Sequence, residues 1–172
     1  MEYTIRPIEP RDAEGFNALR RTPGVFENIL GIPSEQVQRN IDGIRSLGPD
    51  DHNFVAVAGD GDGSERVIGT AGLQVSASPR MRHVGQLGIM VHRDMQGMGV
   101  GSALMAVLLD LADNWLMLVR LELEVFTDNE RAIRLYEKLG FQREGLKRMS
   151  AVRGGRYADE YVMARIRPGF QP

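Results

Sequence analysis

Between Val84 and Leu111 the apolar spacing of the chain changes from that of a strand to that of a helix, and the change falls across QGMGVGS, residues 96–102. Val84 to Val91 reads as a β-run, while Leu104, Val107, Leu108, Leu111 and Trp115 come at helical spacing. Glycine inside a regular element costs about 0.5–1 kcal/mol relative to alanine. Gly97, Gly99 and Gly101 stand at alternate positions just before and inside a helix N-terminus. A helix start offers unpaired backbone N–H groups and the positive end of the helix dipole, and a residue without a side chain lets an anion come close to them. The feature therefore demands a fold in which a strand delivers the chain to an open helix end.

The rest of the chain supplies a mixed sheet around that joint. Tyr3 to Ile8 alternates as a strand, and the stretch after Pro10 reads as a short helix with Asp12 able to cap it. Thr22 to Pro33 is broken by Pro23, Gly24, Gly31 and Pro33 and reads as a loop, after which Ser34 can cap a helix striped by Val37, Ile41, Ile44 and Leu47. His52 to Ala58 and Val67 to Ser76 are β-rich runs joined by GDGDGS, a hairpin turn. Asp60 and Asp62 do not make that turn an EF-hand loop, since the later ligands and the closing glutamate are missing. Val119 to Phe126 is a further strand. Thr127 and Glu130 have capping-box spacing before a helix striped by Ala132, Leu135, Tyr136 and Leu139 and closed by Gly140. Strands around Lys147 to Val152 and Arg156 to Ile166 flank Gly154–Gly155 as a last hairpin. The sum is a mixed α/β sheet, antiparallel at both ends, with strand, helix, strand, helix in the middle.

Composition narrows the function. A chain of 172 residues, 42% hydrophobic and 26% charged, suits one compact domain over residues 1–172. A net charge of -2 without a long basic cluster gives no footprint for nucleic acid. The absence of cysteine removes disulfides, thiolate zinc sites and a cysteine nucleophile, and no metal site is expected. MEYTIRPIEPRD lacks the apolar core of a signal peptide, and no run approaches the ~20 apolar residues of a membrane span, so a cytoplasmic protein without a membrane partner is expected.

Three phosphate-binding loops can be set against QGMGVGS. A nucleotide-triphosphatase loop needs lysine at position 101, which is glycine, and a dinucleotide fingerprint needs a third glycine at position 102, which is Ser102. Gln96-Gly97-Met98-Gly99-Val100-Gly101 matches Q/R-x-x-G-x-G/A without a mismatch, and here the chain resembles the GNAT acetyltransferase superfamily. LGIMVHRDMQGMGVGSALM resembles its central strand, loop and helix; LELEVFTDNERAIRLYEKLGFQREG resembles the next strand and helix. With DNW and DEYVMARI, the likeness points to the bacterial L-amino-acid N-acetyltransferase group.

The resemblance implies a GNAT-like acyl-CoA N-acyltransferase fold, a mixed, largely antiparallel twisted sheet flanked by helices, and acetyl-CoA as co-substrate. Gln96, Gly97, Met98, Gly99, Val100, Gly101 and Ser102 would hold its pyrophosphate. The backbone of Ile89, Met90 and Val91 would meet the acetyl carbonyl and pantetheine. Asn129 would hydrogen-bond the pantetheine arm, and Tyr136 would contact the cofactor near its sulfur as general acid. Asn129 and Tyr136 are seven residues apart, hence on nearly one helix face and about 10 Å apart along the axis, a span suited to a long thin ligand. Tyr136 also shares the apolar stripe, so a plain core residue is the competing reading.

An attacking amine must first be neutral. Glu122 and Glu124 on one face of their strand, and His83 before the central strand, are base candidates, with Glu124 put forward and solvated surface as the alternative. Arg80 and Arg82 could clamp an amino-acid carboxylate, since a guanidinium binds one bidentately. Thr22 to Pro33, with Val25, Phe26, Ile29 and Leu30, could form a lid over an apolar acceptor. The expected acceptor is a small-molecule amine, with a protein N-terminus or lysine, or a non-catalytic acyl-CoA-binding module, as alternatives. Edge strands leave room for a homodimer.

Overall fold

The computed structural model describes residues 2–59 and 63–171. In chain order the elements are β1 (Thr4–Pro7), α1 (Ala13–Arg20), α2 (Val37–Arg45), β2 (Asp51–Gly59), β3 (Glu65–Val75), β4 (Val84–Val91), α3 (Val100–Asp110), β5 (Arg120–Phe126), α4 (Glu130–Lys138), β6 (Gln142–Arg153) and β7 (Arg156–Ile166). The strands form a seven-stranded sheet of order β1-β2-β3-β4-β5-β7-β6. β1 and β2 pair antiparallel, as do β5 with β7 and β7 with β6, whereas β4 and β5 run parallel. This is the expected mixed, largely antiparallel α/β architecture. Asp60 and Asp62, with the tip of the expected β2–β3 hairpin, lie outside the described residues.

The chain divides into two compact units, Met1–Leu73 with Ile89–Leu108, and Gln74–Gly88 with Leu109–Pro172. In the first, Leu19, Val25, Val55, Val57, Val67 and Met90 form a buried cluster against which Ile8, Phe16 and Ile29 pack. The start of α3 lies hard against β3: a Cβ built on Gly69 would stand 3.0 Å from Leu104 Cδ1 and 3.2 Å from Val100 Cγ1. That close approach fixes where the helix begins.

In the second unit Leu121, Leu123 and Val125 face inward from β5, and Ile133 and Tyr136 from α4 are buried. Tyr136 meets Phe141 with ring centroids 5.9 Å apart. Buried Arg165 of β7 forms a two-pronged ion pair with Asp113, at 2.9 and 2.7 Å. Asp113 belongs to a wide turn, Leu111–Trp115, in which the Leu116 amide donates to the Leu111 carbonyl at 2.9 Å. The wide turn takes one residue more than an α-turn and rotates the side chains beyond it out of the stripe. Trp115, assigned by spacing to the apolar stripe, is therefore 76% exposed.

Three expected helix caps are not formed. The Asp12 carboxylate accepts from the Glu9 amide and from Arg6 at 2.9 and 2.8 Å, and does not cap α1. Burial pushes the Asp12 carboxyl up, but the hydrogen bonds from Arg6 and Glu9 outweigh it and hold it below the ordinary carboxylate range. Gln36, not Ser34, precedes α2. The Thr127 amide continues the strand by donating to Asp159, and Asn129 caps α4 in place of the expected Thr127–Glu130 box. Among the described residues no helix is long and apolar enough to cross a membrane.

Candidate functional site

β4 ends at Val91, and the chain turns through one tight helical turn, Arg93–Met95, into the glycine stretch. The turn is held at both ends, since the Met95 amide donates to the His92 carbonyl at 2.9 Å and the Gln96 amide to the Arg93 carbonyl at 3.2 Å. The Gln96 side-chain amide donates back to the Val91 carbonyl at 3.1 Å. Gln96 thus has a structural duty, tying the loop to the strand.

Gly97 and Gly99 take φ of +80° and +86°, a region costly for a residue with a side chain. A Cβ built on either meets nothing within 4 Å. Space inside the protein does not select glycine here; the backbone conformation does, and it leaves an open approach. The first helical bond runs from the Ala103 amide to the Gly99 carbonyl at 3.0 Å. Among the described residues, the backbone amides of Gly97, Met98, Gly99, Val100, Gly101 and Ser102 find no hydrogen-bond partner. Val100 is buried and anchors the helix, whereas Met98 is exposed. The N-terminus of α3 is therefore an uncapped row of donors at a positive dipole end.

Ile89 and Val91 are half-buried and Met90 is buried. The parallel register of β4 with β5 runs from Val84↔Arg120 to Gln86↔Glu122, and Ile89, Met90 and Val91 lie beyond it.

The other sequence-derived residues lie in the second unit. Asn129 Oδ1 accepts from the Ala132 amide at 3.3 Å, so its oxygen is spent as a cap while its NH₂ remains a donor. Tyr136 is 5% exposed, and its hydroxyl makes no hydrogen bond among the described residues. Burial pushes its phenol up to about 12, keeping it protonated throughout the neutral range.

The two glutamate base candidates are paired with cations. Glu124 is ion-paired with Lys147, and the Glu122 carboxylate accepts from Arg120 Nε at 2.5 Å. His83 is exposed, and its carbonyl accepts from the Val119 and Arg120 amides. Arg80 lies in a single helical turn, Pro79–Met81, and is exposed; Arg82 donates to the Ser76 carbonyl at 3.2 Å.

The segment expected as a lid divides. Val25 is buried and Ile29 packs on the first core, whereas Leu30 is 73% and Ile32 53% exposed. Its far end is pinned by Glu35, which Arg20 grips at 2.6 and 2.9 Å.

His92 is a residue that no motif in the sequence singles out. Its Nε2 lies 2.8 Å from a guanidinium nitrogen of Arg66 on β3, and its backbone amide donates to the Ile68 carbonyl at 2.8 Å. The signal available is position alone: a histidine between the strand and the glycine stretch.

The Acetyltransferase (GNAT) family model matches residues 20–141. The chain is 35% identical to L-amino acid N-acetyltransferase AaaT of Escherichia coli (strain K12), over 96% of this chain and 99% of that protein. Among solved structures it resembles spermidine N-acetyltransferase from Vibrio cholerae in complex with CoA and spermine, with a TM-score of 0.81, 22% identity and 96% and 95% of the two chains covered. It also resembles yncA from Salmonella typhimurium, solved with its cofactor acetyl-CoA, with a TM-score of 0.80, 20% identity and 100% and 98% covered. At such identities the two structures speak for a shared fold.

Proposed function

The chain belongs to the Acetyltransferase (GNAT) family, and we propose that within it the protein moves an acetyl group from acetyl-CoA to the α-amine of a free amino acid. One observation carries the donor: the unpartnered amides of residues 97–102, set on positive-φ glycines whose Cβ directions are open. Those amides would hold the pyrophosphate. The acceptor is drawn from the full-length likeness to AaaT, an L-amino acid N-acetyltransferase.

Acetyl-CoA supplies a thioester, which an amine can attack directly without an acyl-enzyme. Tyr136 would donate a hydrogen bond to the departing sulfur. Its phenol near 12 bears on how far that proton moves. Complete transfer to a thiolate of ordinary basicity, near 8.5, is uphill by roughly 5 kcal/mol. Tyr136 therefore acts by stabilising developing negative charge in the transition state, with the proton passing over only as the C–S bond breaks. Asn129 would use its free NH₂ toward a pantetheine carbonyl. Glu124 enters as the group that takes the amine's proton, and it must release Lys147 to do so. Arg80 or Arg82 would bind the acceptor carboxylate.

A thiol-release assay with acetyl-CoA against amino acids, polyamines, aminoglycosides and peptides tests the proposal. Turnover with amino acids above the other acceptors is expected; turnover confined to peptides or polyamines rejects the acceptor. If an arginine clamps the carboxylate, Arg80→Met or Arg82→Met raises the amino-acid KM and spares an amine lacking a carboxylate. A homodimer belongs to the same reading, with β6 the outermost strand and Leu146, Met149, Val152 and Tyr157 exposed on the last hairpin. Light scattering at a protomer's mass would reject it.

A further inference from the structure

His92 is tied down more firmly than a turn requires. Its amide is bonded to Ile68 on β3, its carbonyl accepts from Met95, and its ring meets Arg66, also on β3. It stands one residue beyond Val91, whose carbonyl receives the Gln96 side chain, so the ring lies at the root of the loop that presents the open amides.

Both ring nitrogens face donors, the Arg66 guanidinium 2.8 Å from Nε2 and the Asp94 amide 3.3 Å from Nδ1. A neutral ring can accept at one nitrogen only, and the shorter contact, to a guanidinium with no lone pair, gives that role to Nε2; a protonated ring accepts at neither. The Asp94 carboxylate lies 3.7 Å from Nδ1. Among the described residues, Arg66 from β3 and Asp94 from the turn are the charged groups acting on the ring. Protonation would place an N–H⁺ against the Arg66 guanidinium. Only the exposed Asp94 would offset that repulsion.

We infer that His92 is a positioning residue for the phosphate loop: neutral, it anchors the turn between β4 and α3 on Arg66, and protonated, it releases that anchor and weakens acetyl-CoA binding. The inference rests on acetyl-CoA being the donor held by that loop. Burial first, and Arg66 second, hold the imidazole below its ordinary value, with Asp94 opposing. The anchor is therefore intact at neutral pH and is lost only below the usual histidine range.

Calorimetric titration of acetyl-CoA from pH 8 to pH 5.5 tests the inference, comparing wild type with His92→Gln, whose side-chain carbonyl can still accept from Arg66 but cannot titrate. Titration of the ligand's own phosphates affects both proteins equally. Wild type should match His92→Gln at pH 8 and bind at least about tenfold more weakly at pH 5.5, the low end of the worth of one hydrogen bond to a charged group. His92→Phe should bind weakly at both pH values, while kcat at saturating acetyl-CoA stays unchanged. Identical pH profiles for wild type and His92→Gln, or wild-type affinity in His92→Phe, overturn the inference. A second readout needs no ligand: the Gly97 and Gly99 amide resonances should move with the His92 titration, and should hold still in His92→Gln. If they fail to follow His92, the positioning role falls even where acetyl-CoA binds. If they follow it but acetyl-CoA does not bind at pH 8, it is the donor reading that fails.

Discussion

The two central helices begin in opposite ways. α4 is closed by its own side chain, with Asn129 capping the Ala132 amide and Glu130 paired to Arg134 in the first turn. α3 begins on glycines, and its amides from Gly97 to Ser102 have no partner among the described residues. Capping is worth about 1 kcal/mol, and α3 forgoes it. A chain able to close one helix and leaving the other open separates stability from ligand capture. On the proposed function the open end would bind the pyrophosphate, while the closed end holds a helix whose buried face carries Tyr136.

The largest effect is expected from filling the open end. Gly99→Val would put a branched side chain where the protein leaves space, on a backbone at φ +86°. Loss of two or more hydrogen bonds to a charged pyrophosphate should raise the acetyl-CoA Kd by about 1,000-fold, equivalent to about 4 kcal/mol. Left-handed strain should also lower the melting temperature. Unchanged affinity, read by calorimetry, would break the assignment of this helix end.

Tyr136→Phe probes the buried face of α4. Turnover should fall about 100-fold, as for loss of a general acid, with acetyl-CoA affinity nearly unchanged. Equal turnover would leave Tyr136 a core residue beside Phe141. The same variant gives a pH test. The buried phenol ionises near 12, above its ordinary 10, so the folded state disfavours the anion. Wild-type stability should hold up to about pH 10 and fall as pH rises through 12, and denaturant midpoints for Tyr136→Phe should lose that share of the decline.

How far the sequence shows this contrast depends on the range of the interactions. β4 and β7 are legible to the residue, at Val84–Val91 and Arg156–Ile166, because alternation and flanking glycines are local signals. The open end of α3 is equally plain, since the glycines needed for its backbone are themselves the signal. Caps are not. Asp12, Ser34 and Thr127 are suitable residues in suitable places, but Arg6 and the Glu9 amide claim Asp12, and Thr127 still belongs to the ladder beside Asp159. The same limit hides His92, whose partner Arg66 lies 26 positions away. Glu124 has the look of a free carboxylate in the sequence because Lys147 reaches it from another strand.

On the proposed function Asn129 would both close a helix and bind a ligand with one side chain, and the two duties would use different atoms. Its oxygen caps Ala132; its NH₂ is the part that would be offered to pantetheine. Asn129→Ala removes both, and should cost about 1 kcal/mol of stability, a melting shift of about 2–4 °C for a chain of this length, together with a weaker KM for acetyl-CoA. Asn129→Asp separates them. Aspartate caps as well as asparagine and favours a helix start electrostatically, so stability should match or exceed wild type. The donor, however, is gone, and a carboxylate facing a pantetheine carbonyl should raise the KM about fivefold, the worth of one hydrogen bond. A KM that tracks stability across the two variants would make Asn129 a cap alone, and α4 would then meet the cofactor only through Tyr136.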